Sequence, residues 1–272
     1  MIVNISAEDF ATIIGTPSSQ IAELFEKTQP FFAEAQSQLE KQLRYNVASI
    51  PNENYFISSV NSYIVLYAFY SAIPHIDLIW TPTGFGIVSN NTLAPASRDR
   101  IAELRSQLLN RACKHLHYLI ADLMRIDSYV DSIKPISFIF SLAQYEYIAG
   151  EQTKPEEFSL FSANFKQPEH KLKRLIGADE LDNLRYVAAR QWLPSFDATP
   201  EERQVIDLIT RYVVAAANNI CTADEYLPQI LAIVNDDKNL ETFSRYATSS
   251  EYQANNFAHY ENTADKPSFF FS

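Results

Sequence analysis

Apolar residues return at helical spacing along most of this chain, and the interruptions between those runs divide it into elements. Near the start, Ser6 to Asp9 reads as a capped helix start, and Gly15 with Pro17 closes the short helix that follows. Ile21, Leu24, Phe25, Phe32, Ala35, Leu39 and Leu43 then recur on one helical face. Pro30 falls inside that run and removes an internal donor, which predicts a kink or a split. Residues 54–73 are rich in Tyr, Phe, Ile and Val. Phe56, Val60, Tyr63, Ile64 and Tyr67 share a helical face, so a helix is expected there, with a buried strand as the alternative.

The pattern changes at "IWTPTGFGIVSNNTLAPASRDR", residues 79–100. Two short β-prone runs flank "TPTG", where Pro82 suits the second position of a turn and Gly84 can supply positive φ. A β-hairpin over residues 76–89 is expected, its tip at Pro82, Gly84 and Phe85 available to a neighbour. Ser97 then caps a helix expected from about Arg98 to Ser128, with Ile101, Leu104, Leu108, Leu109, Leu116, Leu119, Ile120 and Leu123 as its apolar stripe.

Residues 136–149 read as helix, stopped by Gly150. Residues 151–170, with two prolines and mixed charge, read as a linker. Beyond it, Asp179–Leu193 is amphipathic. "TPEERQVIDLITRYVVAAANNI" opens with Thr199 at a cap, Pro200 first and Glu202 three positions on, and "TADE" at 222–225 repeats that logic. Residues 255–272 lack periodicity and read as an extended tail. The expected fold is therefore mainly α: a multi-helix bundle with one small β-hairpin insertion and an extended C-terminal tail. Its expected organisation is an N-terminal helical domain over 1–150 carrying the hairpin, a linker over 151–170, and a C-terminal helical region over 171–254 before the tail at 255–272.

Composition narrows the function classes. With 33 acidic and 22 basic residues the formal charge is -11. Broad attraction to a phosphate backbone needs clustered Lys and Arg, so no sequence-specific nucleic-acid binding is expected. The high aromatic content, 15 Tyr and 18 Phe, suits both cores and protein contacts. Cys113 and Cys221 cannot make a secreted disulfide framework, and the N-terminus shows no signal-peptide pattern. The longest apolar stretch, Tyr63–Ile73, is shorter than a bilayer span. These features predict a soluble protein made in the cytosol, with no membrane partner.

Candidate chemistry is sparse. Cys113 and His117 stand four residues apart, a spacing two metal ligands can use, but His115 points elsewhere and a third local ligand is missing. Cys113 also aligns with Leu109, Leu116 and Ile120, so a buried, unmetallated thiol is expected. "GFG" is not a nucleotide fingerprint, since Ser89 stands where its third glycine belongs. Walker A, GxSxG and HExxH motifs do not occur. No catalytic residue, cofactor or metal is assigned. Arg98, Arg100, Arg105, Arg111 and Lys114 give the long helix a basic flavour, and Arg100, Arg111 and Lys114 share a face that could meet DNA or an acidic neighbour. Near the end of the sequence, Phe269, Phe270 and Phe271 form an apolar triplet of the kind that normally has a partner.

The segment "TPTGFGIVSN", followed by "APASRDR" and a long helix, resembles a family of uncharacterised proteins encoded in prophages of gut bacteria. That resemblance covers about a tenth of the chain tightly and transfers no catalytic residue. It implies a virion structural protein, a head–tail connector or neck completion subunit assembling as a homo-oligomeric ring against portal or tail subunits. It also implies localisation in the virion after synthesis in the bacterial cytoplasm. A monomeric helical adaptor or regulator in that cytoplasm is the alternative. An enzyme with a site assembled from scattered residues is the third reading, and the absence of motifs argues against it.

Overall fold

The structure, a computed structural model, describes residues 5–15, 21–76, 79–81, 84–86, 97–133, 135 and 137–257. It is mainly helical, and its contacts divide into two compact units. Unit 1 is Met1–Phe165 with Ala189–Asp197, and unit 2 is Lys166–Ala188 with Ala198–Ser272.

Unit 1 contains α1 (Ala7–Ile14), α2 (Ile21–Thr28), α3 (Phe32–Leu43), α4 (Asn54–Ile76), α5 (Arg98–Leu123), α6 (Asp127–Ser132), α7 (Leu142–Ala149) and α8 (Pro155–Phe161). Ser6 and Asp9 form a reciprocal capping box that starts α1. The α2 run breaks into a 3₁₀ turn, Gln29–Phe31, around Pro30 before α3 begins, because proline cannot donate into the ladder. Helix α4 is apolar all round, and a helix of that composition belongs at the centre of a core. It packs on α1, α2, α3 and α5, burying Phe56, Val60, Ile64, Val65, Phe69 and Ile73. Its 23 residues exceed the uninterrupted apolar run, since Asn and Ser positions extend it at one end and Pro74 lies within its last turn. By length and composition alone α4 could cross a membrane, but its apolar side chains are largely buried inside this unit.

Ile79–Thr81 pairs antiparallel with Gly84–Gly86, Trp80 opposite Phe85 and Thr81 opposite Gly84. Pro82 and residues 87–96 lie outside the described residues. Helix α5 starts where Ser97 accepts the Arg100 amide, but it ends at Leu123, not Ser128. The chain must turn there to bury Tyr129 and Val130, and the Tyr129 hydroxyl donates to the Leu43 carbonyl at the end of α3, 3.2 Å away.

Two expectations need correction here. Residues 137–141 are not helix; α7 begins at Leu142 with Ser141 as its cap, and Gly150 closes it with φ 75. Residues 151–170 are folded and not a loose linker, holding α8, a 3₁₀ turn at Ser162–Phe165 and the start of the next helix, while the boundary between the two units, Phe165 to Lys166, does fall within them. Phe158 and Phe165 are buried there and stack around Tyr145, which anchors a stretch that polar composition made look loose.

Unit 2 is built from α9 (Lys166–Ile176), α10 (Ala178–Arg190, its last two residues belonging to unit 1), α11 (Pro200–Ala217), α12 (Tyr226–Val234), α13 (Ser244–Ala247) and α14 (Ser250–Asn255). Gly177, at φ 81, makes the sharp turn between α9 and α10. Thr199 and Glu202 cap α11 reciprocally. The parallel expectation at Thr222 is corrected: Ala223–Glu225 is a 3₁₀ turn and the Thr222 side chain makes no cap bond. Leu172, Ile209, Val213, Ile230 and Phe243 are among its core residues. Residues 258–272, which include the tail triplet Phe269, Phe270 and Phe271, lie outside the described residues.

Candidate functional site

Helix α5 presents three faces with different fates. Leu108, Ala112, Leu116, Leu119 and Leu123 are buried in the core shared with α4. An adjoining face meets α8 through Cys113 and His117. The remaining face carries Arg111, Lys114, Tyr118 and Ala121 and borders open space.

The Cys113–His117 pair is structural. His117 is only 7% exposed, and its Nε2 lies 3.3 Å from the Pro155 carbonyl and 3.1 Å from Ser159 Oγ. Ser159 Oγ itself donates to the Pro155 carbonyl at 3.0 Å, so Nε2 carries the proton that reaches this turn of α8. The Phe158 ring edge closes the pocket 4.9 Å from the imidazole. Burial pushes the His117 pKa down to about 4, against the opposing pull of the Pro155 carbonyl. Burial also pushes the Cys113 thiol up, which keeps it protonated and a poor nucleophile. Nδ1 of His117 is buried without a hydrogen-bond partner. Among the described residues no group of three or more His, Cys, Asp or Glu is placed to hold a metal. Cys113 is buried, as its alignment with the leucine stripe predicts.

On the open face, α5, the 138–143 segment, α7 and the start of α8 border two adjoining cavities that share Ala121, Ser141 and Ala143. The larger, about 560 Å³, is edged by Arg111, Lys114, Tyr118 and Glu146. The smaller, about 330 Å³, is edged by Met124, Arg125, Phe140, Tyr147 and Trp192. Together they form one groove, with Arg111 and Lys114 toward one end and Phe140, Tyr147 and Trp192, beside Arg125, toward the other.

Its walls are fixed by local bonds. Gln144 accepts from the Phe140 amide at 2.9 Å and donates to the Phe138 carbonyl at 3.0 Å, locking the extended approach to α7. Glu146 accepts from the Thr153 amide at 2.9 Å and ties α7 to the start of α8. Trp192 is held from the far side of the chain: Arg190 pairs with Asp131, and Ser195 donates to Asp127 at 2.7 Å. Three large aromatics nevertheless face solvent here. Tyr147 is 81% exposed, Tyr118 54% and Trp192 48%.

The residues singled out from sequence are distributed unevenly. Arg111 and Lys114 meet at the basic end of the groove; Arg111 also donates to the Ile13 carbonyl at 2.5 Å, closing the C-terminus of α1. Lys114 lies over the Tyr118 ring, 5.7 Å from its centroid. Arg100 is exposed about three turns earlier on α5 and does not join them. Gly84 and Phe85 sit in the second short strand. The groove's aromatic end, with Tyr147 and Trp192, escaped the sequence reading because its residues are scattered and only their exposure distinguishes them from core aromatics.

Residues 22–136 match a family of unknown function (DUF6712), a span that runs from α2 through α6 and includes the α5 wall of the groove but not α7 or α8. No curated protein and no solved structure matches the chain.

Proposed function

We propose that this chain is a structural subunit of a phage virion, a head–tail connector or neck completion protein. It assembles with copies of itself as a ring and contacts portal or tail subunits. The observation that supports an assembly role is the groove beside α5. Exposed Trp and Tyr next to Arg form the composition from which protein contacts draw most of their binding energy, whereas a catalytic centre needs convergent, accessible titrating groups. The resemblance of residues 81–90 and 94–100 to prophage proteins directs that contact to a particle. In this reading the paired strands Ile79–Thr81 and Gly84–Gly86 are the part of the expected hairpin that touches a neighbouring subunit. The protein acts by contact, without turnover or cofactor.

Mass spectrometry of purified particles, together with mass photometry of the isolated chain, tests the proposal. The expected result is a stoichiometric virion component that forms a closed oligomer, alone or on its portal. A chain that stays monomeric at every concentration and is missing from particles overturns it in favour of a monomeric helical adaptor or regulator in the bacterial cytoplasm.

A further inference from the structure

The α5–α7 groove and the segment Glu261–Ser272 match in charge, chemistry and length. The groove carries Arg111, Lys114 and Arg125 against one carboxylate, Glu146. The segment carries Glu261 and Asp265 against one cation, Lys266, and then Phe269, Phe270 and Phe271. Arg111 and Lys114 lie toward one end of the groove and Phe140, Tyr147 and Trp192, beside Arg125, toward the other, and the segment likewise runs from its acidic residues to its three Phe. From Lys114 to Leu123 the helix advances about 14 Å. From Asp265 to Phe269 an extended chain covers about 14 Å as well. Pro267 favours an extended approach at Lys266, the conformation this reach requires.

We propose that residues 261–272 of one copy dock in the α5–α7 groove of a second copy, with Asp265 at the Lys114 end and Phe269–Phe271 against Tyr147, Phe140 and Trp192. The contact rests on the assembly reading above and names the joint through which copies meet. Met124, at the floor of the aromatic end, has the unbranched thioether that adapts to an inserted ring. Lys266 is left to meet Glu146. Each docked segment occupies a groove on another subunit while its own groove accepts a third, a head-to-tail arrangement that makes a ring when the rotation between copies closes.

The chain's two tryptophans make the test direct. In a full-length Trp80→Phe background, Trp192 is the sole indole. Replacing Phe269, Phe270 and Phe271 with Ser in that chain disables its own segment, and a synthetic Glu261–Ser272 peptide, which contains no Trp, is then titrated in. The expected result is a saturable blue shift of Trp192 emission, absent with a peptide carrying the same three Ser substitutions. Tyr147→Ala and Lys114→Glu in the acceptor each weaken peptide affinity about tenfold, the scale of a contact hot spot. Absence of a saturable shift, or affinity indifferent to both substitutions, overturns the docking. In parallel, mass photometry compares the parent chain with the triple-Ser chain. Loss of oligomer in the latter supports exchange between copies, and an oligomer unaffected by it overturns this joint while leaving assembly intact. A parent chain that is monomeric throughout, yet whose groove binds peptide, overturns the exchange between copies, and the assembly reading falls with it only if the chain is also missing from purified particles.

Discussion

Arg185 and Glu169 form an ion pair inside unit 2, 2.6 Å apart, with side chains 8% and 5% exposed. Glu169 Oε1 has no hydrogen-bond partner, so much of what holds the carboxylate's charge comes from the one guanidinium that reaches Oε2. Arg185 also pairs with Asp182 at the surface. Burial raises the Glu169 pKa above its ordinary value, and Arg185 opposes the shift without reversing it. Substituting Arg185→Met removes the largest part of that opposition and leaves the buried carboxylate only the weaker pull of Lys173 and Lys166. Breaking a buried pair from one side costs about 3–5 kcal/mol. With a urea m-value of about 2 kcal/mol/M, the midpoint for unit 2 falls by about 2 M.

The pH dependence separates this mechanism from simple loss of packing. An acid whose folded pKa is raised binds more protons folded than unfolded between the two values, so stability falls as pH rises through that window. In Arg185→Met the window widens upward, and lowering the pH from 7 toward the ordinary glutamate range restores much of the loss. Adding Glu169→Gln removes the charge altogether and restores stability at pH 7. The assay is urea unfolding followed by far-UV circular dichroism at pH 7 and pH 5, with tryptophan emission separating the units, since Trp80 and Trp192 both fall in unit 1. A single substitution that costs less than about 1 kcal/mol at pH 7, well short of a broken buried pair, refutes the reasoning. So does a loss that neither acid nor Glu169→Gln relieves.

Unit 1 is expected to respond to acid in the opposite sense. His117, held down to about 4 by burial, is a base whose folded pKa is depressed, so stability is lost as pH falls from the ordinary histidine range toward 4. The full effect is about 3 kcal/mol, read as a pH-dependent urea midpoint of Trp emission that flattens in His117→Gln. Thiol labelling should be biphasic, with exposed Cys221 reacting at once and buried Cys113 only as fast as unit 1 opens; equal rates contradict the packing. Thr199→Ala removes a reciprocal cap on α11 and costs about 1 kcal/mol of unit 2 stability, measured by the same far-UV transition.

What sequence made legible in the fold is what neighbouring residues decide among themselves. The caps at Ser6 and Thr199 need only a residue three positions away, and the break at Pro30 needs only a missing amide hydrogen. Helix α4 was legible because Phe56, Val60, Tyr63, Ile64 and Tyr67 recur at helical spacing, although its apolar density left a buried strand open. The failures sit where a distant contact overrides local preference. Helix α5 could run to Ser128 on periodicity, but Tyr129 must reach the Leu43 carbonyl. Residues 151–170 have the prolines and charges of a linker, yet Phe158 and Phe165 find Tyr145 and fold the segment. At Thr222 the residue type suits a cap, while the backbone there takes a 3₁₀ turn that offers the hydroxyl no donor.

The groove was half legible for a related reason. Its basic end lies on a single helix, so spacing alone brings Arg111 and Lys114 together. Its aromatic end joins Phe140, Tyr147 and Trp192 from three segments, and among 18 Phe, 15 Tyr and 2 Trp nothing local distinguishes a surface ring from a core ring. The distinction is exposure. Tyr145 and Tyr147 are two residues apart on α7, yet one is 3% exposed and the other 81%. Two residues on a wheel of 3.6 advance about 200°, which leaves their faces about 160° apart. Tyr147 on the outer face adds apolar area that the core does not use, and the docking proposed above turns on that residue more than on the basic pair.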